Sequence, residues 1–231
     1  MTTELLLTGL LPSTLHSILL STLSQLCERA ESYSLTEKVF KRKGATTGDA
    51  RIRVRALRLK SEQVTHTTGD STRWSLTVLH RPEPERISPQ ALQYSVSEIS
   101  LAEGVHPEEL VNAFGFEEKD FELRKRGTRW ERSGVLIEVY QLFPDEVSTE
   151  PLDPVSFVVQ ASVRFSQPTS TAAASSTSSK ASNKRTSTPN SGPTGGGGGG
   201  NSGQEERDRA LNALEGVKRA LKGVVDLRRI E

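Results

Sequence analysis

Residues 51–56 read Arg-Ile-Arg-Val-Arg-Ala, in which cationic and apolar side chains alternate without interruption. Successive side chains of a β-strand point to opposite faces. The alternation therefore predicts a strand with Arg51, Arg53 and Arg55 on one face and apolar residues on the other. The chain is accordingly expected to contain a sheet with a cationic face.

Other segments on both sides of this strand have the composition of strands. Two turn signals, Gly69-Asp70 and Ser133-Gly134, predict hairpin-type loops at residues 65–72 and 132–134. We predict further strands at residues 5–7, 33–42, 74–79, 92–101, 121–130, 135–143 and 155–165. No catalytic constellation lies on any of them, so the pattern favours a closed, strand-rich α+β scaffold that holds other proteins.

Three segments have helical patterns. Pro12 and Ser13 are suited to a first helical turn, and Pro107 is suited to the start of a short helix that Gly115 ends. The first helix is expected to pack through Leu15, Ile18, Leu19, Leu23, Leu26 and Ala30. Residues 205–225 form a predicted amphipathic helix with acidic residues at its start and basic residues near its end.

The last helix is separated from the strands by a tract of Ser, Thr, Asn and Gly that includes six consecutive glycines. Such a tract buries too little apolar surface to offset its ordering entropy, so it is expected to be a disordered linker. We therefore predict a strand domain with flanking helices at 1–165, a linker at 166–204 and a docking helix at 205–231.

Composition excludes several classes of protein. The 30 basic and 29 acidic residues give a net charge of +1, which implies neither a polyanion partner nor a membrane surface. With Cys27 as the single cysteine, a disulfide framework and a cysteine-based zinc site are excluded within the chain. The leucine-rich stretch at 4–27 lacks a preceding basic residue and is interrupted by Pro12 and His16, so we expect neither a signal peptide nor a spanning helix.

The arginine stripe is the strongest candidate for chemistry. Three guanidinium groups pointing into a barrel are suited to binding a polyphosphate, as in a triphosphate tunnel enzyme. Such an enzyme also needs carboxylates for a divalent metal, and the chain has no Glu-x-Glu-x-Lys strand. We therefore favour a polar strand face on which Arg51, Arg53 and Arg55 pair with acidic neighbours or with a protein partner.

Nucleic-acid binding is a second alternative. Lys38, Lys41, Arg42 and Lys43 form one local basic cluster, and residues 124–126 (Arg-Lys-Arg) form another. Aromatic residues are only 5% of the chain, and no RNA-binding signature accompanies the clusters. An RNA-binding barrel thus stays open, but specific nucleic-acid recognition is not expected.

The order of several segments resembles a known family. These segments are 6–9 (Leu-Leu-Thr-Gly), 15–19 (Leu-His-Ser-Ile-Leu), 23–27, 38–40 (Lys-Val-Phe), 51–55, 74–76 (Trp-Ser-Leu), 82–83, 115–116 and 139–143 (Val-Tyr-Gln-Leu-Phe), followed by a final helix. Together they resemble the family of subunit 18 of the Mediator complex, over about residues 4–165 and again from about 205. The low-complexity tract favours a fungal form.

This resemblance implies a mainly antiparallel β-barrel with flanking helices, related to the triphosphate tunnel fold but without its metal site. It further implies a nuclear coregulator in the Mediator head module that pairs with subunit 20 and grips a C-terminal helix of subunit 8. RNA polymerase II would be contacted through the assembled complex. The resemblance implies no catalytic residue and no cofactor.

Overall fold

In the computed structural model, which describes residues 2–46, 51–60, 72–102, 104–144, 147–166 and 202–230, eight strands close into a barrel. Their order around the barrel is β1-β5-β4-β3-β2-β6-β7-β8, and every neighbouring pair is antiparallel. The strands are β1 (Thr2–Pro12), β2 (Arg29–Lys41), β3 (Arg51–Lys60), β4 (Thr72–Leu79), β5 (Leu92–Ser100), β6 (Glu118–Arg132), β7 (Val135–Phe143) and β8 (Ser156–Ser166). The predicted α+β, mainly antiparallel barrel is confirmed.

Three α-helices accompany the barrel in the described part of the chain: α1 (His16–Leu26), α2 (Pro107–Ala113) and α3 (Ser202–Ala220). A single 3-10 turn, Ser13–Leu15, precedes α1. As predicted, α2 begins at Pro107, and the chain leaves it through Gly115 with φ +79°. None of the described helices is both long enough and apolar enough to cross a membrane.

The helices cover apolar side chains on the outer surface of the barrel. On one side, Ile52 and Val54 of β3 pack with Val111 of α2 and with Phe116. On the other side, α1 and α3 share one large cluster with strands β1, β7 and β8. The fully buried residues of that cluster include Leu5, Leu7, Leu19, Leu23, Val135, Ile137, Val159, Ala161, Leu214 and Leu221. The apolar face predicted for residues 51–56 therefore points outward from the barrel and is covered by α2.

The end of the chain completes one edge of β1. Strand β5 pairs with β1 only as far as Leu6, and beyond that point Thr8 exchanges two backbone hydrogen bonds with Arg228, at 2.9 and 3.0 Å. Gly9 permits this approach, because a Cβ there would lie 2.6 Å from the backbone oxygen of Asp226. The segment after α3 therefore packs directly on the barrel wall.

Several boundaries differ from the prediction. Ala30, predicted on the first helix, lies in β2, because α1 ends at Leu26 and the chain extends from Arg29 to pair with β6. Ile18 is exposed instead of packed. Helix α3 begins at Ser202 and ends at Ala220, and a turn containing Gly223, with φ +94°, follows it.

Two predicted segments lie outside the described residues. They are residues 167–201, which make up most of the predicted linker, and residues 65–71 of the predicted hairpin loop. The division at 166–204 stays a prediction.

Candidate functional site

The inner face of the barrel carries the charged side chains that the sequence places on alternate positions. Register across the strands sets Arg55 opposite Glu37 and Arg53 opposite Thr77. Because side chains alternate between the two faces of a strand, residues in directly opposed pairs share one face. The arginines of β3 therefore point inward, opposite to the apolar residues that α2 covers.

A buried carboxylate lies at the centre of this inner face. Oε1 of Glu37 accepts a hydrogen bond from Nε of Arg55 at 2.7 Å and lies 3.6 Å from Nη1 of Arg53. Oε2 of Glu37 lies 3.5 Å from Nζ of Lys125. We call these four residues, Glu37, Arg53, Arg55 and Lys125, the Glu37 cluster. Glu37 is only 4% exposed, so its charge is held by these three cations and not by water.

The protonation of this carboxylate follows from two opposing effects. Burial by itself raises the pKa of Glu37, because it disfavours the charged form. The charges of Lys125, Arg55 and Arg53 outweigh burial and lower the pKa to about 2. Glu37 is therefore ionised at neutral pH and acts as the counter-ion of the inner face.

A second buried acid behaves in the opposite way. Burial raises the pKa of Glu138, and the nearby charges of Lys125 and Arg55 only partly oppose that rise. Burial likewise raises the pKa values of Tyr33 and Tyr140. Nζ of Lys125 lies 4.8 Å from the ring centroid of Tyr140, a cation–π contact that supplements its ion pair with Glu37. The interior thus lowers the pKa of Glu37 and raises the pKa of Glu138.

The Glu37 cluster borders a cavity of about 100 Å³. A second ion-pair group closes another part of its wall: Nε of Arg164 donates to Oε1 of Glu4 at 3.0 Å, and Arg164 also pairs with Glu98. Thr77 and His80 line the same cavity. This cavity is the candidate functional site of the barrel, and we call it the inner cavity.

An apolar layer separates the inner cavity from a second, more open cavity of about 350 Å³. Along β2, Tyr33 and Leu35 lie between Glu31, which lines the second cavity, and Glu37, which lines the inner one. The apolar side chains of the layer are Tyr33, Leu35, Leu57, Leu59, Tyr140, Leu142 and Val158, and Glu138 lies beside them on β7. The two cavities therefore do not form one continuous charged channel along this strand.

The inner face offers no evident set of metal ligands. Both carboxylate oxygens of Glu37 already face cations, and within the described ranges no three Asp, Glu, His or Cys residues are grouped so that they could hold a metal ion. A triphosphate tunnel enzyme requires carboxylates that are free to bind a divalent metal. The ion pairs of the Glu37 cluster are suited to holding the barrel together.

The predicted arginine stripe is divided between two environments. Arg53 and Arg55 belong to the Glu37 cluster, whereas Nη1 of Arg51 lies 2.8 Å from Oδ2 of Asp120. The structure thus places acidic neighbours beside all three arginines. Contact of these arginines with a partner protein stays a prediction.

The predicted basic clusters are also engaged within the chain. Nζ of Lys38 pairs with Oε1 of Glu108 at 2.6 Å, and Nζ of Lys41 pairs with Oε1 of Glu118 at 3.2 Å. Lys125 points inward, while Arg126 donates to the backbone oxygen of Ser148. Because these basic side chains already pair within the chain, fewer of them are available to bind a polyanion such as RNA than the sequence suggests.

Sequence reasoning missed Glu37, Lys125, Glu4 and Arg164 as members of the interior site. A signal was present for Glu37, since residues 31, 33, 35 and 37 alternate along β2 with the less buried outward-facing positions. The signal was incomplete, because it does not show which residues of other strands Glu37 contacts. Those contacts depend on the register between the strands.

One rim of the barrel carries exposed apolar side chains. Leu10 of β1, Leu152 and Val155 are 66%, 64% and 66% exposed. Backbone contacts bring them to the same end of the barrel: Leu10 pairs with Val158, and Val155 accepts a hydrogen bond from Ser13 at 2.8 Å. We call Leu10, Leu152 and Val155 the apolar rim. Exposed groups of large apolar residues are typical of contact surfaces between proteins.

Comparison with known proteins identifies the family. The family model described as Med18 protein matches residues 3–182. A chain of the Schizosaccharomyces pombe Mediator head module is similar in structure, with a TM-score of 0.65, 17% identity, and coverage of 99% of this chain and 98% of that chain. The PH1819 protein from Pyrococcus horikoshii is similar as well, with a TM-score of 0.57, 15% identity, and coverage of 99% and 94%.

A third, weaker likeness is to the Hippeastrum protein HpAC1, described as having a dominant triphosphatase activity. Its TM-score is 0.43 at 11% identity, with coverage of 71% of this chain and 80% of that chain. A comparison with curated protein sequences finds no significant match. The first two structural likenesses show the fold, and the family model covers most of the chain, so this protein belongs to the Med18 family of Mediator subunits.

Proposed function

We propose that this protein is a non-catalytic subunit of the Mediator head module that acts as a nuclear transcription coregulator. It pairs with Mediator subunit 20, binds a C-terminal helix of subunit 8, and reaches RNA polymerase II through the assembled complex. The match of the Med18 family model to residues 3–182 supports membership of Mediator, and the likeness to a head-module chain agrees with it.

The interior of the barrel is the observation that favours a scaffold. Glu37 has a cation beside each carboxylate oxygen, and an apolar layer crosses the interior next to it. A catalytic tunnel needs an open, polar path and groups that are free to hold metal and substrate. With the interior occupied by ion pairs, partner proteins would bind the outer surface and the rims of the barrel. Binding of this kind is typical of a structural subunit.

The apolar rim is the surface we propose for contact with another Mediator subunit. Its three side chains are about two-thirds exposed, and an exposed group of large apolar residues is typical of a surface that binds another protein. Polar replacements there remove apolar contact area without touching the barrel core. The double variant Leu10→Ser, Val155→Ser is therefore expected to keep the stability of the free chain and to weaken subunit binding.

The test is co-expression of the full chain with subunit 20 from the same organism, followed by size-exclusion chromatography with light scattering. We expect a stable one-to-one complex, and a weakened complex with the double variant. A matched control, Ile230→Ser, removes an exposed apolar side chain at the other end of the described chain and should leave the complex intact. A monomer that ignores subunit 20 would contradict the proposed pairing.

A further inference from the structure

The inner cavity has features that the scaffold role does not use. One water molecule needs at least roughly 10–15 Å³ of such volume, so a cavity of about 100 Å³ has room for several waters. A phosphate or sulfate ion is comparable in size to a small group of waters. The cavity is therefore large enough for one tetrahedral oxyanion.

Cationic side chains outnumber carboxylates in the lining of the cavity. Four cationic side chains line the cavity, Arg53, Arg55, Lys125 and Arg164, against the two carboxylates of Glu4 and Glu37. Glu98 and Glu138 face these cations from outside the lining. At the cavity surface itself, an anion would therefore meet mainly cationic side chains, which are strong hydrogen-bond donors to oxyanions.

Hydrogen-bond donors in the wall are also left over. Nε of Arg53 and Oγ1 of Thr77 are buried and have no hydrogen-bond partner among the residues that the structure describes. Thr77 is 2% exposed, and the two residues lie opposite each other in the register of β3 and β4. Buried polar groups in native proteins are nearly always paired, so two unpaired donors on one wall point to a ligand with acceptor oxygens.

The apolar layer bounds the cavity on one side. Leu57 follows Arg55 on the inner face of β3, and Leu35 precedes Glu37 on β2, so apolar side chains close the cavity in this direction. A linear polyphosphate that extended in this direction would place charged groups against that layer, which is unfavourable. A single tetrahedral ion meets no such cost, and guanidinium groups are well suited to its oxygens.

We propose that the inner cavity binds one phosphate-type oxyanion, with Arg53 and Thr77 among its donors. The ion enters as a free ion and accepts hydrogen bonds from these donors. This site is separate from subunit binding, so the scaffold function and the anion site can fail independently.

The test is isothermal titration of inorganic phosphate into the full chain at constant ionic strength, with sodium chloride as the balancing salt. We expect one saturable site with a Kd at or below about 1 mM. Tripolyphosphate and adenosine 5′-monophosphate are titrated in parallel. Binding of the free ion supports the proposal, whereas binding of only the larger phosphates, or no saturable binding to the wild-type chain, overturns it.

Two variants assign the site. Arg53→Gln and Thr77→Val are each expected to weaken phosphate binding at least about tenfold, the loss typical of one hydrogen bond to a charged group. Thr77→Val keeps the side-chain volume and removes a hydroxyl that has no partner, so it should fold normally. Arg58→Gln, on the outward face of the same strand, is the control. Equal loss in the Arg58 variant, or unchanged binding in both cavity variants, overturns the assignment.

Discussion

Replacing Glu37 by glutamine tests whether the Glu37 cluster stabilises the barrel. The change keeps the size of the side chain and removes its charge, so Arg53, Arg55 and Lys125 face one another without a counter-ion. The folded protein lowers the pKa of Glu37 from 4.5 to about 2, and one pKa unit is worth about 1.4 kcal/mol. The expected loss of stability is therefore about 3 kcal/mol, within the range for breaking a buried ion pair.

The assay is thermal and urea unfolding of the full chain. For a chain of this size, about 3 kcal/mol lowers Tm by roughly 6–12 °C. The control is Glu108→Gln, which breaks the Lys38–Glu108 pair on an exposed surface and should change stability by no more than about 0.5–1 kcal/mol. Equal stability of the Glu37 variant, the Glu108 variant and the wild type would refute the structural role of the cluster.

The pH dependence gives a second readout of the same prediction. Because the pKa of Glu37 is lower in the folded protein than in the unfolded chain, its ionised form stabilises the fold above the ordinary pKa of 4.5. That contribution is lost progressively as the pH falls from 4.5 towards 2. The difference in stability between wild type and the Glu37→Gln variant should therefore be constant near neutral pH and shrink below about pH 4.5. A difference that does not change with pH would contradict an electrostatic origin.

Three further stability predictions concern the packing of the barrel. Gly127→Ala should prevent normal folding, seen as loss of soluble protein, because a Cβ there would lie 2.0 Å from the backbone oxygen of Val139. Leu214→Ala should cost about 2–5 kcal/mol in urea unfolding, since Leu214 is 1% exposed in the cluster under α3. Gly9→Ala should release the C-terminal segment from β1, seen as faster amide exchange at residues 226–229 with the barrel amides still protected, because its Cβ would clash with Asp226.

The strands were predictable because each one carries its own signal. The alternation at 51–56 identified β3 and its two faces, and Ser133-Gly134 identified the tight turn between β6 and β7, where both residues have positive φ. These signals are local and depend on the period of two along a strand. The α+β barrel followed from them together with the family resemblance.

The interior could not be predicted to the same degree, because it depends on contacts between distant strands. Lys125 was grouped with Arg124 and Arg126 as a basic cluster, although alternation along β6 places Lys125 inside the barrel, beside Glu37. Glu37 itself carries no motif, and its three cations come from β3 and β6. Only the closed register of the barrel brings them together.

Membership of Mediator is tested most directly by quantitative mass spectrometry of the proteins that copurify with this chain, tagged at its own genomic locus and extracted from nuclei. We expect the Mediator head-module subunits in amounts close to that of the tagged chain, with subunits 20 and 8 retained in the most stringent wash. Recovery of the chain in good yield without head-module subunits would contradict its role as a Mediator subunit.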